Sequence, residues 1–345
     1  MIGERSDSRR KLKGYMFEVV ILKLIESNGF RFINIFDQKI REDRNRFIEF
    51  RGRGGWHQID CPCDYENIIP FMNPLRLLGE VKYYADPISK DHIREFIGVI
   101  KDIQENYFVP DNYHGSFHRY TEIGVFFAAN GFQIEAERLA YAHNIKTISY
   151  KNNYIIEQIK TIIEQLEANY LSVNCISRGN LNDFQNMFSE LLNQGDIRRF
   201  SHRFNPSNGF DFIIYMLLEF FNNINSSFIA NTSGGAFLHF LSNDSFPSHL
   251  FQRTDKGSCR VYIDTNPFGG TAYYLTFVED VEERKFYFTP PMALRNAAYF
   301  GASALLDAKE ELLKTIHLSI NLNGINRNLV LELDTDWLNA IRRDA

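Results

Sequence analysis

The sequence has few cysteines, no long apolar run and no strong excess of charge of either sign. Four cysteines in 345 residues are too few for a disulfide scaffold, so a reducing compartment is favoured and a cytoplasmic location is expected. No stretch approaches about 18 uninterrupted apolar residues, so we predict no transmembrane helix. The basic N-terminus precedes an interrupted apolar run without a small-residue cleavage site. It is therefore interpreted as part of a helix and not as a signal peptide.

The charge distribution bears on possible partners. A formal net charge of −5 argues against a surface that is basic throughout, as in many proteins that bind nucleic acid. Residues 1–150 hold 21 Lys+Arg and 21 Asp+Glu, whereas the remainder holds 17 and 22. The first part is therefore neutral with local basic clusters. The acidic balance and aromatic content of the second part suit a protein interface better than a DNA groove.

The length and the hydrophobic pattern predict two domains. Residues 1–150 are predicted to form an α/β domain, in which a central mixed sheet is flanked by helices. Its predicted elements are a helix over 14–28, strands at 56–61 and 77–84, a long helix from Ser89, and a closing strand-helix-strand unit over 122–150. Residues 151–345 are predicted to form an α+β domain that senses, oligomerises or binds a partner.

Four triplets place a carboxylate two residues before a lysine. They are Asp37-Gln38-Lys39, Glu80-Val81-Lys82, Glu283-Arg284-Lys285 and Asp307-Ala308-Lys309. The first runs into a polar loop at 41–46, the third is assigned to a charged hairpin turn and the fourth to a solvated helix face. Glu80-Val81-Lys82 differs because it lies in the middle of a predicted strand, where the period of two directs Glu80 and Lys82 to the same side.

Asp60 ends the predicted strand at 56–61, and the same alternation puts Gln58 and Asp60 on one face. If this strand pairs with the strand at 77–84, Asp60, Glu80 and Lys82 converge. Two carboxylates and the backbone carbonyl of Val81 would offer hard oxygen ligands for Mg²⁺, for which Mn²⁺ can substitute. Lys82 would orient or deprotonate the attacking water, with its pKa lowered by burial and by the metal charge. The alternative is a structural buried ion pair.

Glu18 lies on or beside the helix face that should be buried, next to Ile21 and Ile25. A charge at such a position needs a partner or a metal. We expect Glu18 to hold a metal-bound water or a second metal ion. Pairing with an arginine is the alternative.

These features together resemble the PD-(D/E)xK nuclease superfamily, and most nearly the Mrr-like restriction endonucleases. The resemblance covers roughly residues 10–150 and includes a Gly-rich turn before Gln58-Ile59-Asp60. It implies a restriction-endonuclease-like fold and a metal-dependent phosphodiesterase, with Asp60 and Glu80 as metal ligands and Lys82 as the catalytic lysine. It also implies a prokaryotic role against foreign DNA. Ile59 stands where the family name has proline, and an apolar stretch occupies part of the segment before Glu80.

Two basic segments are candidates for contacts with nucleic acid. Arg51 and Arg53 alternate with glycines at 52, 54 and 55, where guanidinium groups and flexible backbone can approach phosphates. The N-terminal helix adds Arg9, Arg10, Lys11 and Lys13. The alternative for the glycine-rich segment is a hairpin turn with solvated arginines.

A zinc site is the competing assignment for several residues. His57, Cys61 and Cys63 share a predicted strand face, and His114 and His118 have a spacing typical of zinc fingers. One residue between the two cysteines is tighter than usual, so small core cysteines are expected instead. Residues 232–236 lack the glycine spacing and the lysine of a phosphate-binding loop and are assigned to a turn.

The sequence therefore predicts a Mg²⁺-dependent DNA endonuclease. A double-strand break needs two active sites, so a homodimer or a higher assembly is expected. One alternative is an effector nuclease that is switched on through residues 151–345 and acts on RNA or DNA. Another is a subunit that binds nucleic acid without cleaving it.

Overall fold

The computed structural model describes residues 2–33, 39–43, 47–65, 71–107, 119–169, 181–204, 210–322 and 325–344. The helices of this part of the chain are α1 (Ile2–Glu26), α2 (Lys90–Gln104), α3 (Ile134–Ala142), α4 (Tyr154–Asn169), α5 (Leu181–Gln194), α6 (Ile197–Phe204), α7 (Phe210–Asn222), α8 (Met292–Ala297), α9 (Ala302–Leu313) and α10 (Thr335–Asp344). Within the described residues, no helix has the length and apolar character needed to cross a membrane.

The strands of the described residues belong to three sheets. The strands are β1 (Phe30–Phe32), β2 (Ile40–Glu42), β3 (Ile48–Arg51), β4 (Trp56–Gln58), β5 (Cys61–Tyr65), β6 (Leu75–Lys82), β7 (Thr121–Ala128), β8 (Lys146–Ser149), β9 (Ser226–Thr232), β10 (Phe237–Ser242), β11 (Lys256–Thr265), β12 (Thr271–Phe277), β13 (Phe286–Phe288), β14 (Thr315–Leu322) and β15 (Ile325–Leu333). The mixed α/β class with helices beside sheets is confirmed.

The chain divides into two compact units. Unit 1 comprises residues 1–128, 132–147 and 167–206, and unit 2 comprises residues 129–131, 148–166 and 207–345. The chain passes from unit 1 to unit 2 between residues 147 and 148, close to the predicted boundary at residue 150. Residues 167–206, which the sequence assigned to the second domain, nevertheless belong to unit 1.

The main sheet of unit 1 has five strands in the order β1-β5-β6-β7-β8. β5 is antiparallel to β6, whereas β6 is parallel to β7, with α2 as the connecting helix. Apolar residues at helical spacing on α2 are buried against this sheet, and Phe96 meets Phe126 edge to face at 5.5 Å. The predicted mixed sheet is therefore present.

A second sheet of unit 1 contains β2, β3 and β4, all antiparallel. The predicted strand at 56–61 is wrong in one respect, because β4 ends at Gln58 and β5 begins at Cys61 in the other sheet. The predicted polar loop at 41–46 is also wrong at its start, since Arg41 and Glu42 belong to β2. The chain thus passes from one sheet to the other at Ile59 and Asp60.

Unit 2 contains a closed seven-stranded barrel in the order β10-β13-β12-β11-β15-β14-β9. Its interior is rich in phenylalanine, including Phe228 and Phe240, which stack at 5.1 Å. The predicted α+β domain over 151–345 includes neither β9, nor β10, nor the closure of the barrel as expectations. The predicted turn at 232–236 is confirmed as the β9–β10 connection.

The assignment of Lys309 to a solvated helix face is wrong. Its side chain is buried on α9, and Nζ donates a hydrogen bond to the carbonyl oxygen of Val261 at 2.7 Å. Burial lowers the pKa of Lys309 to about 8. Asp307 of the same triplet is exposed and pairs with Arg342.

Candidate active site

The antiparallel pairing of β5 with β6 places Asp60 beside Glu80. Cys61 lies opposite Gly79. Asp60, which precedes Cys61, therefore faces Glu80, which follows Gly79. The two strands approach closely here, because a Cβ atom at Gly79 would lie 2.8 Å from Cys61 Cβ and 3.0 Å from the Cys61 carbonyl oxygen. Glycine at this position therefore permits the close pairing from which the site is built.

Lys82 joins the two carboxylates. Its Nζ atom lies 2.8 Å from Asp60 Oδ2 and 2.5 Å from Glu80 Oε1. Asp60 Oδ2 also accepts the backbone N–H of Val81 at 3.1 Å. The Asp60 side chain is 7% exposed, against 22% for Glu80 and 24% for Lys82. The predicted convergence of these three side chains is confirmed, with the lysine ion-paired to both acids.

Glu18 of α1 adds a third carboxyl group to the cluster. Burial and the nearby Asp60 carboxylate raise the pKa of Glu18 well above its usual value, while Lys82 acts in the opposite direction. The same two causes, burial and Asp60, raise the pKa of Glu80 to about 7. Carboxyl groups whose pKa is raised by burial and by a neighbouring carboxylate attract a cation or a proton.

The pKa of Lys82 moves in the opposite direction to the one expected. Burial acts to lower it, but the adjacent carboxylates of Asp60 and Glu80 prevail and raise it above the usual value for lysine. With these neighbours Lys82 is an ammonium group. It can therefore donate hydrogen bonds to a water or to a phosphate oxygen, whereas the expected removal of a proton does not fit this protonation state.

An open cleft of about 340 Å³ adjoins the cluster within unit 1. Asp60, Glu18 and Gln58 contribute to its wall. Gln58 and Asp60 therefore face a common space as expected, although they lie on either side of a strand break and not on one strand. The remaining lining residues are Val19, Leu22, Lys23, Glu26, Phe32, Ile33, Glu42, Phe47, Ile48, Ile59, Asn186 and Ser189.

Tyr15 is a site residue that the sequence reasoning missed. Its pKa is raised by burial and by the nearby carboxylates of Glu18 and Asp60, so it lies in the electrostatic field of the cluster. Its ring stacks on Phe47 at 6.1 Å, a residue of the cleft wall. The helical spacing of three residues from Glu18 was the signal that could have found it.

The donor set fits a hard divalent cation. The carboxylates of Asp60 and Glu80 already meet at one cation, the Lys82 ammonium group, which shows that both can be directed to the same positive charge. Among the described residues, no group of three or more His, Cys, Asp and Glu side chains is placed to hold a metal ion. A metal would thus depend on Asp60, Glu80, the predicted carbonyl of Val81 and water, a set that Mg²⁺ accepts.

Comparison with known proteins adds little to this geometry. No protein family matches the sequence, and no curated protein is significantly similar to it. One solved structure, of a protein of unknown function named AF1548, is 14% identical and has a TM-score of 0.34. The similarity covers 60% of this chain and 95% of that chain. A similarity at this level supports no statement about function.

The predicted nucleic-acid contacts have different surroundings. Arg53 is exposed and pairs with Glu105 at 2.6 Å, and Arg51 is exposed on β3. Lys13 lies 3.9 Å from Glu167 and over the ring of Tyr83. The backbone of α1 includes Arg9, Arg10 and Lys11, whose side chains lie outside the described part of the structure.

The glycine-rich turn is anchored to the end of α2 and is not a free hairpin. Asp102 accepts the backbone N–H of Gly54 at 3.0 Å, and its Oδ2 atom lies 2.7 Å from His57 Nε2. Hydrogen bonding with His57 and Gly54 lowers the pKa of Asp102. A Cβ atom on Gly52 would lie 2.0 Å from Asp102 Oδ2 and 2.9 Å from His57 Nε2. A side chain at Gly52 therefore fits only if Asp102 moves away from its partners.

We expect Gly52→Ala to lower the free energy of unfolding more than Gly55→Ala does, because the new methyl group displaces Asp102 from its partners. Gly55→Ala is the matched control, since a Cβ atom there meets no atom within 4 Å. Urea unfolding of both variants measures the difference. Equal stability of the two variants would contradict this account of the turn.

The zinc candidates do not form one cluster among the described residues. Cys61 and Cys63 are buried in β5 with their sulfur atoms 3.9 Å apart, whereas His57 contacts Asp102. A side-chain hydrogen bond with Cys63 and burial raise the pKa of Cys61, which favours the thiol over the metal-binding thiolate. His114 and His118 lie outside the described residues.

Proposed function

We propose that this protein is a Mg²⁺-dependent endonuclease of the restriction-endonuclease-like fold, which hydrolyses DNA phosphodiester bonds. One observation carries the proposal: Lys82 bridges Asp60 and Glu80 beside an open cleft. A structural ion pair needs no cleft at its side and no third carboxyl group such as Glu18. Two acids that share one amine, with a third carboxyl group beside them, are costly to bury without a functional reason.

Each residue of the cluster would have a separate role in hydrolysis. Asp60 and Glu80 would hold the metal ion, which supplies charge stabilisation and an activated water when bound. Lys82, as an ammonium group, would orient that water and stabilise negative charge on the phosphate oxygens in the transition state. Glu18, whose pKa burial raises well above its usual value, would position a water in the cleft.

A cut in both DNA strands requires two such sites, so we propose a homodimer or a higher assembly. The barrel of unit 2 would supply the contacts for assembly or for a protein partner. This part of the proposal is tested separately, by measuring the mass of the protein in solution with and without DNA.

We expect the full-length protein to nick or linearise supercoiled plasmid with Mg²⁺ or Mn²⁺, and to lose this activity in EDTA, because the metal is needed for charge stabilisation. Ca²⁺, which favours longer and more numerous oxygen contacts, should support binding without cleavage. Gel electrophoresis of plasmid and of a folded RNA under the same conditions measures the result. Cleavage of RNA alone would support the effector-nuclease alternative, and binding without any cleavage would support the non-catalytic one.

A further inference from the structure

The outer face of the β2-β3-β4 sheet carries a continuous group of polar and aromatic side chains. Arg41, Glu49 and Gln58 are cross-strand neighbours in one row, and Arg51 faces Trp56 in the adjacent row. The opposite face holds Ile40, Ile48 and Phe50, all buried in the unit 1 core. The period of two therefore separates a packed inner face from an exposed outer face, and we call the latter the Trp56 face.

Trp56 is held by arginines. The guanidinium carbon of Arg41 lies 4.1 Å from the centre of the indole ring, and that of Arg51 lies 5.5 Å away. Arg41 also binds the Glu49 carboxylate at 2.7 Å through Nε and Nη2, which offsets part of its charge. Among the described residues, no carboxylate lies within ion-pair distance of Arg51, so positive charge remains beside the ring.

The Trp56 face is continuous with the candidate active site. Gln58, in the outer row, is exposed and also lines the cleft. Asp60 follows two residues later and lines the same cleft. A chain that crosses the Trp56 face toward Gln58 would therefore arrive at Asp60, the residue that both lines the cleft and pairs with Lys82.

We propose that the Trp56 face binds a single-stranded polynucleotide. Its location next to the bond that is cut rests on the proposed function. Aromatic rings and guanidinium planes stack on bases, and this contact is available only where bases are not already stacked in a duplex. Arg51 and Arg41 supply positive charge for the phosphates. The substrate class is thus nucleic acid with an unpaired segment, such as a single strand, a flap or a locally opened duplex.

Tryptophan fluorescence tests the proposal directly, because the chain has two tryptophans and Trp337→Phe leaves Trp56 alone. We titrate the full-length Trp337→Phe protein with oligothymidylate, with oligouridylate and with a DNA duplex of equal length, all in EDTA. Saturable quenching by a single strand, with weaker binding of the duplex, is expected because bases stack on the ring. Quenching by either single strand supports base stacking on Trp56, a contact that DNA and RNA strands both offer. No quenching, or equal or tighter binding of the duplex, would overturn the proposal.

A second measurement compares variants by binding of a labelled oligothymidylate. Trp56→Ala should weaken binding about tenfold or more, as expected for the loss of one stacked base, and Arg51→Ala should reduce the salt dependence of binding. Trp337→Phe and Arg94→Ala, an exposed arginine of α2, are the matched controls and should bind as the wild type does. If Trp56→Ala does not fold, the quenching titration still decides.

The two proposals fail independently. Binding in EDTA requires no cleavage, so a protein that binds single strands but cuts nothing keeps the Trp56 face and loses the nuclease. A protein that cuts duplex DNA with metal, but shows no quenching of Trp56, keeps the nuclease and loses the single-strand site.

Discussion

Asp60→Asn and Lys82→Ala are each expected to lower the rate of metal-dependent cleavage by about a thousandfold. Asp60→Asn keeps the shape of the side chain but removes the negative charge that would hold the metal ion, and Lys82→Ala removes the ammonium group that would stabilise the transition state. Initial rates of plasmid nicking, measured at saturating Mg²⁺, give the ratio to wild type.

The matched controls make the same chemical changes elsewhere in unit 1. Asp91→Asn and Lys101→Ala alter exposed residues of α2 and should cut at the wild-type rate. All variants should bind the DNA in EDTA, which separates loss of chemistry from loss of binding. Activity of Lys82→Ala close to that of the wild type would remove the lysine from the mechanism.

Lys82→Met is expected to lower the free energy of unfolding by roughly 3 kcal/mol at alkaline pH, because it leaves the carboxylates of Asp60, Glu80 and Glu18 together without their cation. The pKa of Glu80 is raised to about 7 although Lys82 acts to lower it, so without Lys82 this group takes up a proton at a higher pH, and the loss should shrink as the pH falls toward 7. A carboxyl group whose pKa is higher in the folded than in the unfolded protein binds more protons when folded. Stability from this group is therefore present at low pH and lost as the pH rises.

Urea unfolding of the Trp337→Phe background, followed by Trp56 fluorescence, reports on unit 1 alone. The double variant Lys82→Met/Glu80→Gln should regain part of the lost stability, because one of the repelling charges is removed. Lys101→Met is the control for loss of a lysine at an exposed position. An equal loss of stability at alkaline pH and below about pH 7, or no recovery in the double variant, would show that the cluster is not electrostatically coupled as the geometry indicates.

The alternation within a single strand was sufficient to predict part of the site. Glu80 and Lys82 lie two residues apart on β6, and their side chains meet as the period of two requires. The helical wheel likewise identified Glu18 as an unusual carboxyl group on a buried face. Both predictions use distances of a few residues, over which backbone geometry alone determines direction.

The position of Asp60 was predicted correctly for a partly incorrect reason. The expected continuous strand at 56–61 breaks, and Asp60 reaches Glu80 because Cys61 pairs with Gly79 across two strands of the main sheet. Three features stay predictions: the resemblance of the fold to restriction endonucleases, the metal ion and the nuclease activity. The same holds for the nucleic-acid contacts of the basic N-terminal residues and of Arg53.

The sequence by itself determined the periodic elements, the two acids and the lysine worth considering, and the absence of any long apolar run. Tertiary structure alone decided that β9 and β10 close a barrel, that Lys309 is buried, that Tyr15 lies beside Glu18 and Asp60, and that Asp102 anchors the glycine-rich turn. The physical reason is the same in each case. Period and composition describe neighbours along the chain, whereas these contacts arise from strand register and helix packing between residues that are distant in sequence.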